Sequence, residues 1–348
     1  MLLSNRTVSV DTDLESIDFI GDSVHQYVKQ FEGAAIHGQV HSVFYRCAYL
    51  QFHNMLVCVA LSELGPGPIT LLLKNNCTRF PACFVQGSSA SLSTQGLDVN
   101  GEHSFRSDAA HIFDSAIQPR IIDRQRLFRL NRLIARLDLP EEGLALSLRP
   151  DALPCNSETI LMQYAKPAIS ALLTDLPVLP LRLNDRSYDQ SSKIDGVKIS
   201  ADVKQWVRLL GAGPGLTPSG DDFLSGVLAA LHVLGHAATA TLIWNDVAET
   251  ARTATNKISV ALLEQAAAGR LSHKVSLLVD ALLDDNSTTP ARLNLLLGQL
   301  GETSGWDWLA GFGLGVNRLL GDPEGLYYSI YCFDVDHRNS ESPLVRVH

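Results

Sequence analysis

The sequence lacks any cluster of basic residues. Its 37 Asp and Glu residues outnumber its 28 Lys and Arg residues, which gives the 348-residue chain a formal charge of −9. Proteins that bind nucleic acid neutralise phosphates with clustered Lys and Arg. The charge balance therefore argues against nucleic acid as a partner.

Cysteine is scarce, and its spacing does not fit a metal site. The six cysteines form no C-x-x-C pair. Since the N-terminus carries no secretory leader, we expect reduced thiols in a cytoplasmic protein. The six are Cys47, Cys58, Cys77, Cys83, Cys155 and Cys332.

We also expect no membrane span. Residues 223–245 contain no charged side chain and are long enough to cross a bilayer. However, the run includes the polar residues Ser225, His232 and His236, and Gly235 interrupts it. We interpret this segment as two buried helices that meet near Gly235.

Composition and length fit a well-packed protein of two or three domains, with 46% hydrophobic and 19% charged residues. We predict the α+β fold class, with a small N-terminal β-barrel or sandwich-like domain (1–118) and a mostly α-helical C-terminal domain (196–322). Residues 119–195 are predicted to form a connecting helical and mixed region, and residues 323–348 a C-terminal tail.

Short apolar runs, separated by turn residues, predict the strands of the first domain. The runs are residues 40–50, 55–61, 69–73, 83–85 and 97–99. His53 and Asn54 predict a hairpin between the first two, and Asn100-Gly101 predicts a turn after the last. Several short strands of this kind are typical of a small barrel or sandwich.

Helical periodicity dominates after residue 120. Residues 124–137 predict an amphipathic helix with five solvated arginines, and residues 159–173 predict a second helix. Residues 184–195 predict a polar surface loop, and residues 326–333 a short apolar stretch before a loose tail. Residues 201–320 predict six or seven helices. Their breaks are expected near Gly213, Gly235, Gly269, Asn286 and Gly301.

One motif occurs twice. Residues 213–226 read GPGLTPSGDDFLSG, residues 303–311 read TSGWDWLAG, and both contain S-G-x-D-x-L-x-G. A small-residue turn that opens onto an apolar helix presents backbone N–H groups to an anion. Two copies therefore predict two helix N-termini that face a common anion site, beginning at Ser219 and Ser304.

Familiar nucleotide and hydrolase motifs are missing. The glycines of residues 211–215 do not have the G-x-G-x-x-G spacing, and no Lys follows as in a P-loop. No G-x-S-x-G elbow is present. The motif therefore argues against the usual NAD and ATP sites.

A purely structural explanation competes with ligand binding. Both copies match the S-x-x-D capping box, in which Ser219 or Ser304 would begin a helix. A cap does not explain the glycine that follows each serine, nor Gly226 and Gly311 one turn later, because helix interiors disfavour glycine by about 1 kcal/mol. Glycine at these places indicates the close approach of a ligand or of another backbone.

The adjacent carboxylates point in different directions on a helix. If Asp222 caps the helix, Asp221 projects from the first turn, where it could accept hydrogen bonds from an amide or hold Mg²⁺ through water. N–H donors beside a carboxylate suit a ligand with both an anionic group and an NH₂.

Other candidates are weaker. His232 and His236 have the i, i+4 spacing of zinc ligands, but no third ligand is evident. Thr255 either caps the next helix or, with Thr253 and Ser259, starts a further helix near the site. In the first hairpin, two side chains are possible anion contacts. They are His41 and Arg46.

Around the first motif, the chain resembles the AllH (YlbF-like) family. The resemblance extends to residues 255–269 and 303–311 and, more loosely, to residues 42–44 and 65–68. It implies a subunit of oxamate carbamoyltransferase that works with AllF and AllG partners in anaerobic allantoin degradation. The implied reaction is the phosphorolysis of oxalurate to oxamate and carbamoyl phosphate, or its reverse.

These observations lead to one predicted site. We expect catalytic roles for Ser219, Asp221 and Asp222, no certain cofactor, and Mg²⁺ as a possible one. The predicted substrate-binding residues are Gly215, Thr217, Ser219, Gly220, Thr303, Ser304, Gly305 and Asp307. Two alternatives stay open, namely a non-catalytic assembly subunit and a family member that acts on another small carboxylate or acyl substrate.

Overall fold

The chain divides into two compact units, Met1–Ser115 and Ala116–His348. A computed structural model describes residues 16–74, 80–149, 159–178 and 203–321. Within these residues the first unit is built mainly from strands and the second from helices, so the α+β class is confirmed.

The described part of the first unit contains a single nine-stranded sheet. Its strands are β1 (Ile17–Gly21), β2 (Ile36–Val43), β3 (Cys47–Phe52), β4 (Met55–Ala60), β5 (Thr70–Leu73), β6 (Ser89–Ser93), β7 (Gly96–Val99), β8 (His103–Arg106) and β9 (His111–Phe113). The strand order is β8-β7-β6-β2-β3-β4-β5-β1-β9.

The sheet curls into a half-barrel. A bridge between Ser16 and Arg106 joins β8 to the residue that precedes β1. Helix α1 (Asp22–Lys29) follows β1 directly and buries Val24 and Val28. The prediction of a small barrel or sandwich is therefore met only in part, because one curled sheet takes the place of two packed sheets.

The strand predictions succeed at the tight turns. The β3–β4 hairpin turns at His53 and Asn54, as predicted, with Phe52 paired to Met55. The prediction of one strand over residues 40–50 is wrong, because β2 and β3 are separate strands. Residues 83–85 form no strand. Phe84 is buried against Phe105, so the apolar signal comes from packing and not from pairing.

The described part of the second unit contains nine α-helices. They are α2 (Arg124–Ala135), α3 (Ile160–Asp175), α4 (Val203–Trp206), α5 (Ser219–Val233), α6 (Ala237–Ala254), α7 (Lys257–Ala267), α8 (His273–Leu283), α9 (Pro290–Gly298) and α10 (Ser304–Leu319). The predicted breaks in residues 201–320 fall between these helices.

The core of the second unit surrounds α5 and α10. Twelve residues of α5 and thirteen of α10 are buried, so both helices lack a polar face. Residues 223–245 fold as predicted into two helices, which meet at Gly235 with a φ of 81°. Among the described residues, no helix is both long and apolar enough to cross a membrane.

Several predictions lie outside the described residues. They concern the loop at 184–195, the apolar stretch at 326–333 and the tail at 323–348. Three of the six cysteines also lie there, namely Cys77, Cys155 and Cys332.

Candidate functional site

The two copies of the motif lie side by side. At the start of the helices, the Thr217 and Ser304 hydroxyl oxygens are 2.9 Å apart. Three turns further along, Gly315 of α10 packs against Ala230 of α5. Since the contacts advance in the same direction on both helices, α5 and α10 run parallel, and both positive helix ends lie at the same place.

The later glycines of the motif allow the two helices to touch. A Cβ on Gly226 would overlap the Trp308 carbonyl oxygen, and one on Gly311 would overlap the Phe223 carbonyl oxygen. No larger residue fits at these positions without separating the helices. The close approach inferred from the sequence is therefore the approach of another backbone.

The glycine after each serine has the same kind of explanation. Gly220 packs on the Leu209 carbonyl group, and Gly305 packs on the Leu297 carbonyl group. All four shared glycines of the motif are thus accounted for by backbone packing, and they do not by themselves indicate a ligand.

Neither capping box forms. The N-cap residues are Pro218 for α5 and Thr303 for α10, and neither makes a side-chain capping hydrogen bond. Ser219 and Ser304 are instead the first helical residues. The capping-box alternative is therefore wrong for both helices, and the serines and the second aspartates are available for other contacts.

Asp222 interacts with the other helix. The hydroxyl groups of Ser304 and Thr217 favour its charged form, yet its Oδ2 is buried and has no hydrogen-bond partner. Burial has the largest effect and, together with the negative charge of Asp307, it raises the pKa of Asp222 well above its usual value.

Asp307 makes the reciprocal contact. The Leu144 N–H donates to its Oδ1 at 2.5 Å, and the Ser219 hydroxyl also favours its charged form. Its side chain is fully buried, and its Oδ2 has no hydrogen-bond partner. Burial raises the pKa of Asp307 to about 6.

These contacts cross between the two copies. The Ser304 hydroxyl favours the charged form of Asp222, and the Ser219 hydroxyl favours that of Asp307. The two carboxyl groups therefore lie close together at the paired helix ends. The groups that favour their ionisation are hydroxyls and a backbone N–H, with no cation among them. Because two buried like charges disfavour each other, the pair tends to retain a proton.

Asp221 has a different environment. Its Oδ1 accepts from the Gly211 N–H at 2.8 Å, and its Oδ2 accepts from the Thr255 hydroxyl at 2.5 Å and the Ser259 hydroxyl at 2.6 Å. The side chain is only 2% exposed. The sequence suggested that Asp221 projects from the first turn. Instead, its hydrogen bonds join α5 to the neighbouring segments.

Three backbone donors remain at the helix ends. The N–H groups of Gly220 and Asp221 are bonded to carbonyl oxygens, and so is that of Trp306. By contrast, no acceptor from the described residues reaches the N–H of Ser219, Ser304 or Gly305. Of the six donors in the two first turns, half have no hydrogen-bond partner among the described residues, although Ser219 and Gly305 are themselves buried.

The loop before α5 lies at the surface. Gly215 is exposed with a φ of 98°, and nothing lies within 4 Å of the position of a Cβ there. The Asn256 side chain donates to the Leu216 carbonyl at 2.8 Å, which ties the loop to the start of α7. The Leu216 side chain remains 46% exposed.

The weaker candidates occupy other environments. His232 Nε2 bonds to the Ala267 carbonyl at 2.8 Å. The described residues contain no group of three or more side chains that could hold a metal. Asn256 caps α7, so the alternative in which Thr255 caps it is wrong. In the first unit, Arg46 pairs with Glu63 at 3.6 Å, and His41 contacts a serine hydroxyl.

Sequence reasoning missed the partner of Asp307. The Leu144 N–H comes from a segment 163 positions away. Gly143 precedes it with a φ of 76°, and a Cβ there would overlap the Asp307 carboxylate. The only available signal was the lone glycine after Glu141 and Glu142, which marks a turn without showing what it contacts.

Comparison with known families gives two matches. Residues 209–316 match the family described as oxamate carbamoyltransferase subunit AllH. Residues 8–112 match the AllH family N-terminal domain. The first match includes α5 and α10 with both copies of the motif, and no solved structure matches the chain.

Proposed function

Because the chain belongs to the AllH family of oxamate carbamoyltransferase subunits, we propose that the paired N-termini of α5 and α10 bind a carbamoyl or carboxylate ligand of that reaction. The observation that carries this proposal is the pair of buried Oδ2 atoms, one on Asp222 and one on Asp307, that lack hydrogen-bond partners. Ten side-chain atoms of the described residues are buried without a hydrogen-bond partner, and these two belong to carboxyl groups that lie close together at the paired helix ends. A buried carboxyl oxygen normally has a hydrogen-bond partner.

The donors and acceptors match one chemical group. A carbamoyl or oxamate NH₂ can donate to the two Oδ2 atoms, and its carbonyl oxygen can accept from the N–H groups of Ser219, Ser304 and Gly305, which have no acceptor among the described residues. The two helix dipoles add positive potential at the oxygen. One amide group can thus bond both to the carboxyl oxygens and to the backbone N–H groups of the site.

The charge of the site decides which end of the ligand enters. Asp222 and Asp307 would repel a phosphate dianion, and no cation favours their ionisation. We therefore place the amide end against the carboxyl pair and the anionic end toward the exposed loop at Gly215. Phosphate binding then requires Mg²⁺ or an arginine from a partner subunit.

The carboxyl pair can move a proton during the transfer. In the phosphorolytic direction, an oxygen of hydrogenphosphate forms a bond to the carbamoyl carbon of oxalurate. The bond from that carbon to the oxamate nitrogen then breaks. The pair gives its proton to this nitrogen and takes up the hydrogenphosphate proton, so it ends as it began. The same three N–H groups stabilise the oxygen that becomes negative.

The remaining parts of this assignment follow the family. We propose that the partner subunits are of the AllF and AllG types, that the chain acts in anaerobic allantoin degradation, and that the substrates are oxamate, oxalurate and carbamoyl phosphate. A chain that uses another small carboxylate would retain the same site and differ in the groups around the loop.

The test is turnover of the assembled complex. Asp222→Asn and Ser219→Ala in this chain should lower carbamoyl phosphate formation from oxalurate at least tenfold, because hydrogen bonds to charged groups contribute about 1.5–3 kcal/mol. Size-exclusion chromatography should show unchanged assembly. The matched control is Asp246→Asn, an exposed aspartate on α6. Full turnover by Asp222→Asn would overturn the proposal.

A second function is favoured by a specific observation. All four shared glycines of the motif are explained by backbone packing, as expected of a subunit that only supports assembly. That reading predicts that Asp222→Asn and Ser219→Ala disturb assembly together with turnover. The same experiment therefore separates the two functions.

A further inference from the structure

A pair of cysteines lies on one face of the curled sheet in the first unit. Tyr49 in β3 is directly opposite Cys58 in β4, and Cys47 is opposite Ala60. Residues two apart on a strand share a face. Cys47 and Cys58 are therefore diagonal neighbours on adjacent antiparallel strands.

The two thiols contact each other in a small satellite cluster. Cys58 is buried with Ala60 and Leu72, and the half-buried Cys47 packs against them. The Cys47 and Cys58 thiols lie close enough for each to shift the pKa of the other, and the Tyr49 hydroxyl also acts on the pKa of Cys58. One thiol is thus partly open to solvent, while the other is enclosed behind it.

The surroundings distinguish the two thiols chemically. The interaction with the Cys58 thiol lowers the pKa of Cys47 against the opposing effect of burial, and the positive charge of Arg46 adds a smaller lowering. The contact with Cys47 and burial raise the pKa of Cys58 well above its usual value. The thiolate, which is the nucleophile, therefore forms more readily at Cys47.

We propose that Cys47 is a site of reversible oxidation by hydrogen peroxide and that Cys58 is the thiol that resolves it. The Cys47 thiolate attacks the peroxide, so that an S–O bond forms, the O–O bond breaks and hydroxide leaves. Cys58 then attacks the sulfur of the resulting sulfenic acid. An S–S bond forms, and the hydroxyl group leaves as water with the Cys58 proton.

The positions of Cys47 and Cys58 predict a strained disulfide that is easily reduced. Diagonal neighbours across antiparallel strands have Cα atoms about 7–8 Å apart. Unstrained disulfides span less than about 7 Å. The bond between Cys47 and Cys58 therefore requires a local shift of β3 against β4, and thiol reductants should reverse it readily.

The experiment uses the full chain, hydrogen peroxide and peptide mapping. The wild type should form a Cys47–Cys58 disulfide that dithiothreitol reverses. In Cys58→Ser, Cys47 should instead accumulate as a sulfenic acid that dimedone captures. Cys83, a half-buried cysteine of the same unit, is the internal control and should react at least several-fold more slowly.

Two results would overturn the proposal. One is equal dimedone labelling of Cys47 and Cys83 in Cys58→Ser. The other is a wild-type chain in which neither Cys47 nor Cys58 is found in a disulfide after peroxide treatment. Circular dichroism of Cys58→Ser and Cys47→Ser verifies that the sheet is intact, and Cys58→Ala is the substitute if the serine in the buried position unfolds it.

Discussion

Asp222 on α5 and Asp307 on α10 lie close enough for the charge of Asp307 to raise the pKa of Asp222. Each has a buried Oδ2 without a hydrogen-bond partner. The folded chain therefore tolerates two poorly compensated carboxyl groups at one place. Such destabilising arrangements are concentrated at functional sites, where they are retained for activity.

The first prediction is that Asp307→Asn loses ligand binding without losing stability. Asp307→Asn keeps an acceptor for the Leu144 N–H and removes the buried charge. We expect ligand binding to be lost while the free energy of unfolding at neutral pH is unchanged or higher, by up to ~3 kcal/mol. Urea unfolding and calorimetry of the same preparation measure both quantities. A variant that loses both stability and binding would contradict this prediction.

The pH dependence of stability follows from the same group. The pKa of Asp307 is raised to about 6 in the folded chain, against about 3.9 for an unfolded Asp. The folded state holds this proton more tightly, so the Asp307 contribution makes unfolding easier as pH rises from about 4 to 6. The stability difference between Asp307→Asn and wild type should therefore grow over this window and level off above it. A difference independent of pH would contradict the assignment.

Ligand affinity should have the opposite pH dependence. If the NH₂ of the ligand donates to the pair, protonation of Asp307 below its pKa of about 6 removes an acceptor. Affinity for oxamate should then weaken as the pH falls through this value. Titration calorimetry at a series of pH values measures it, with Asp246→Asn as the control that retains the wild-type profile. Affinity that is flat with pH would show that the ligand does not use the pair.

Truncation of Asp221 should destabilise the chain, whereas truncation of the exposed Asp246 should not. Asp221→Ala leaves the Gly211 N–H and the Thr255 and Ser259 hydroxyls without their acceptor. We expect a loss of about 3 kcal/mol or more in the free energy of unfolding, since each unsatisfied buried group costs about 1–3 kcal/mol. Asp246→Ala should change it by less than about 0.5 kcal/mol. Equal urea midpoints for these two variants would contradict the structural role of Asp221.

Because the backbones of α5 and α10 touch, one methyl group added at Gly311 should strongly lower the stability of the chain. In Gly311→Ala the new Cβ meets the Phe223 carbonyl oxygen and pushes α5 and α10 apart. We expect a loss of about 3 kcal/mol in the free energy of unfolding. The control is Gly298→Ala at the exposed end of α9, where nothing lies within 4 Å and a gain of about 0.5 kcal/mol is expected. Similar thermal midpoints would contradict the backbone contact.

Local patterns predicted the local structure well. Apolar periodicity and five predicted breaks located the helices of residues 201–320 except for the boundary between α6 and α7, and His53 and Asn54 located a hairpin. The failures occurred where packing decides. Residues 83–85 are apolar because Phe84 is buried from a turn, and a sequence window cannot distinguish that from a strand.

The candidate site was predictable in position but not in its contacts. The repeated motif indicated two helix starts at a common place, and α5 and α10 do begin side by side. In each copy, the serine interacts with the aspartate of the other copy. This crossed arrangement depends on the parallel packing of two helices that begin 85 residues apart. The different roles of Asp221 and Asp222 depend on Thr255 and Ser259, which no local rule links to them.

The most direct measurement is calorimetric titration of the chain, assembled with its partner subunits, with oxamate, oxalurate, phosphate and carbamoyl phosphate, with and without Mg²⁺. We expect Asp222→Asn and Asp307→Asn each to weaken binding of the amide-containing ligands by about tenfold or more, while Asp246→Asn binds like the wild type. Unchanged affinity in both site variants would contradict the assignment of the paired helix ends as the ligand site.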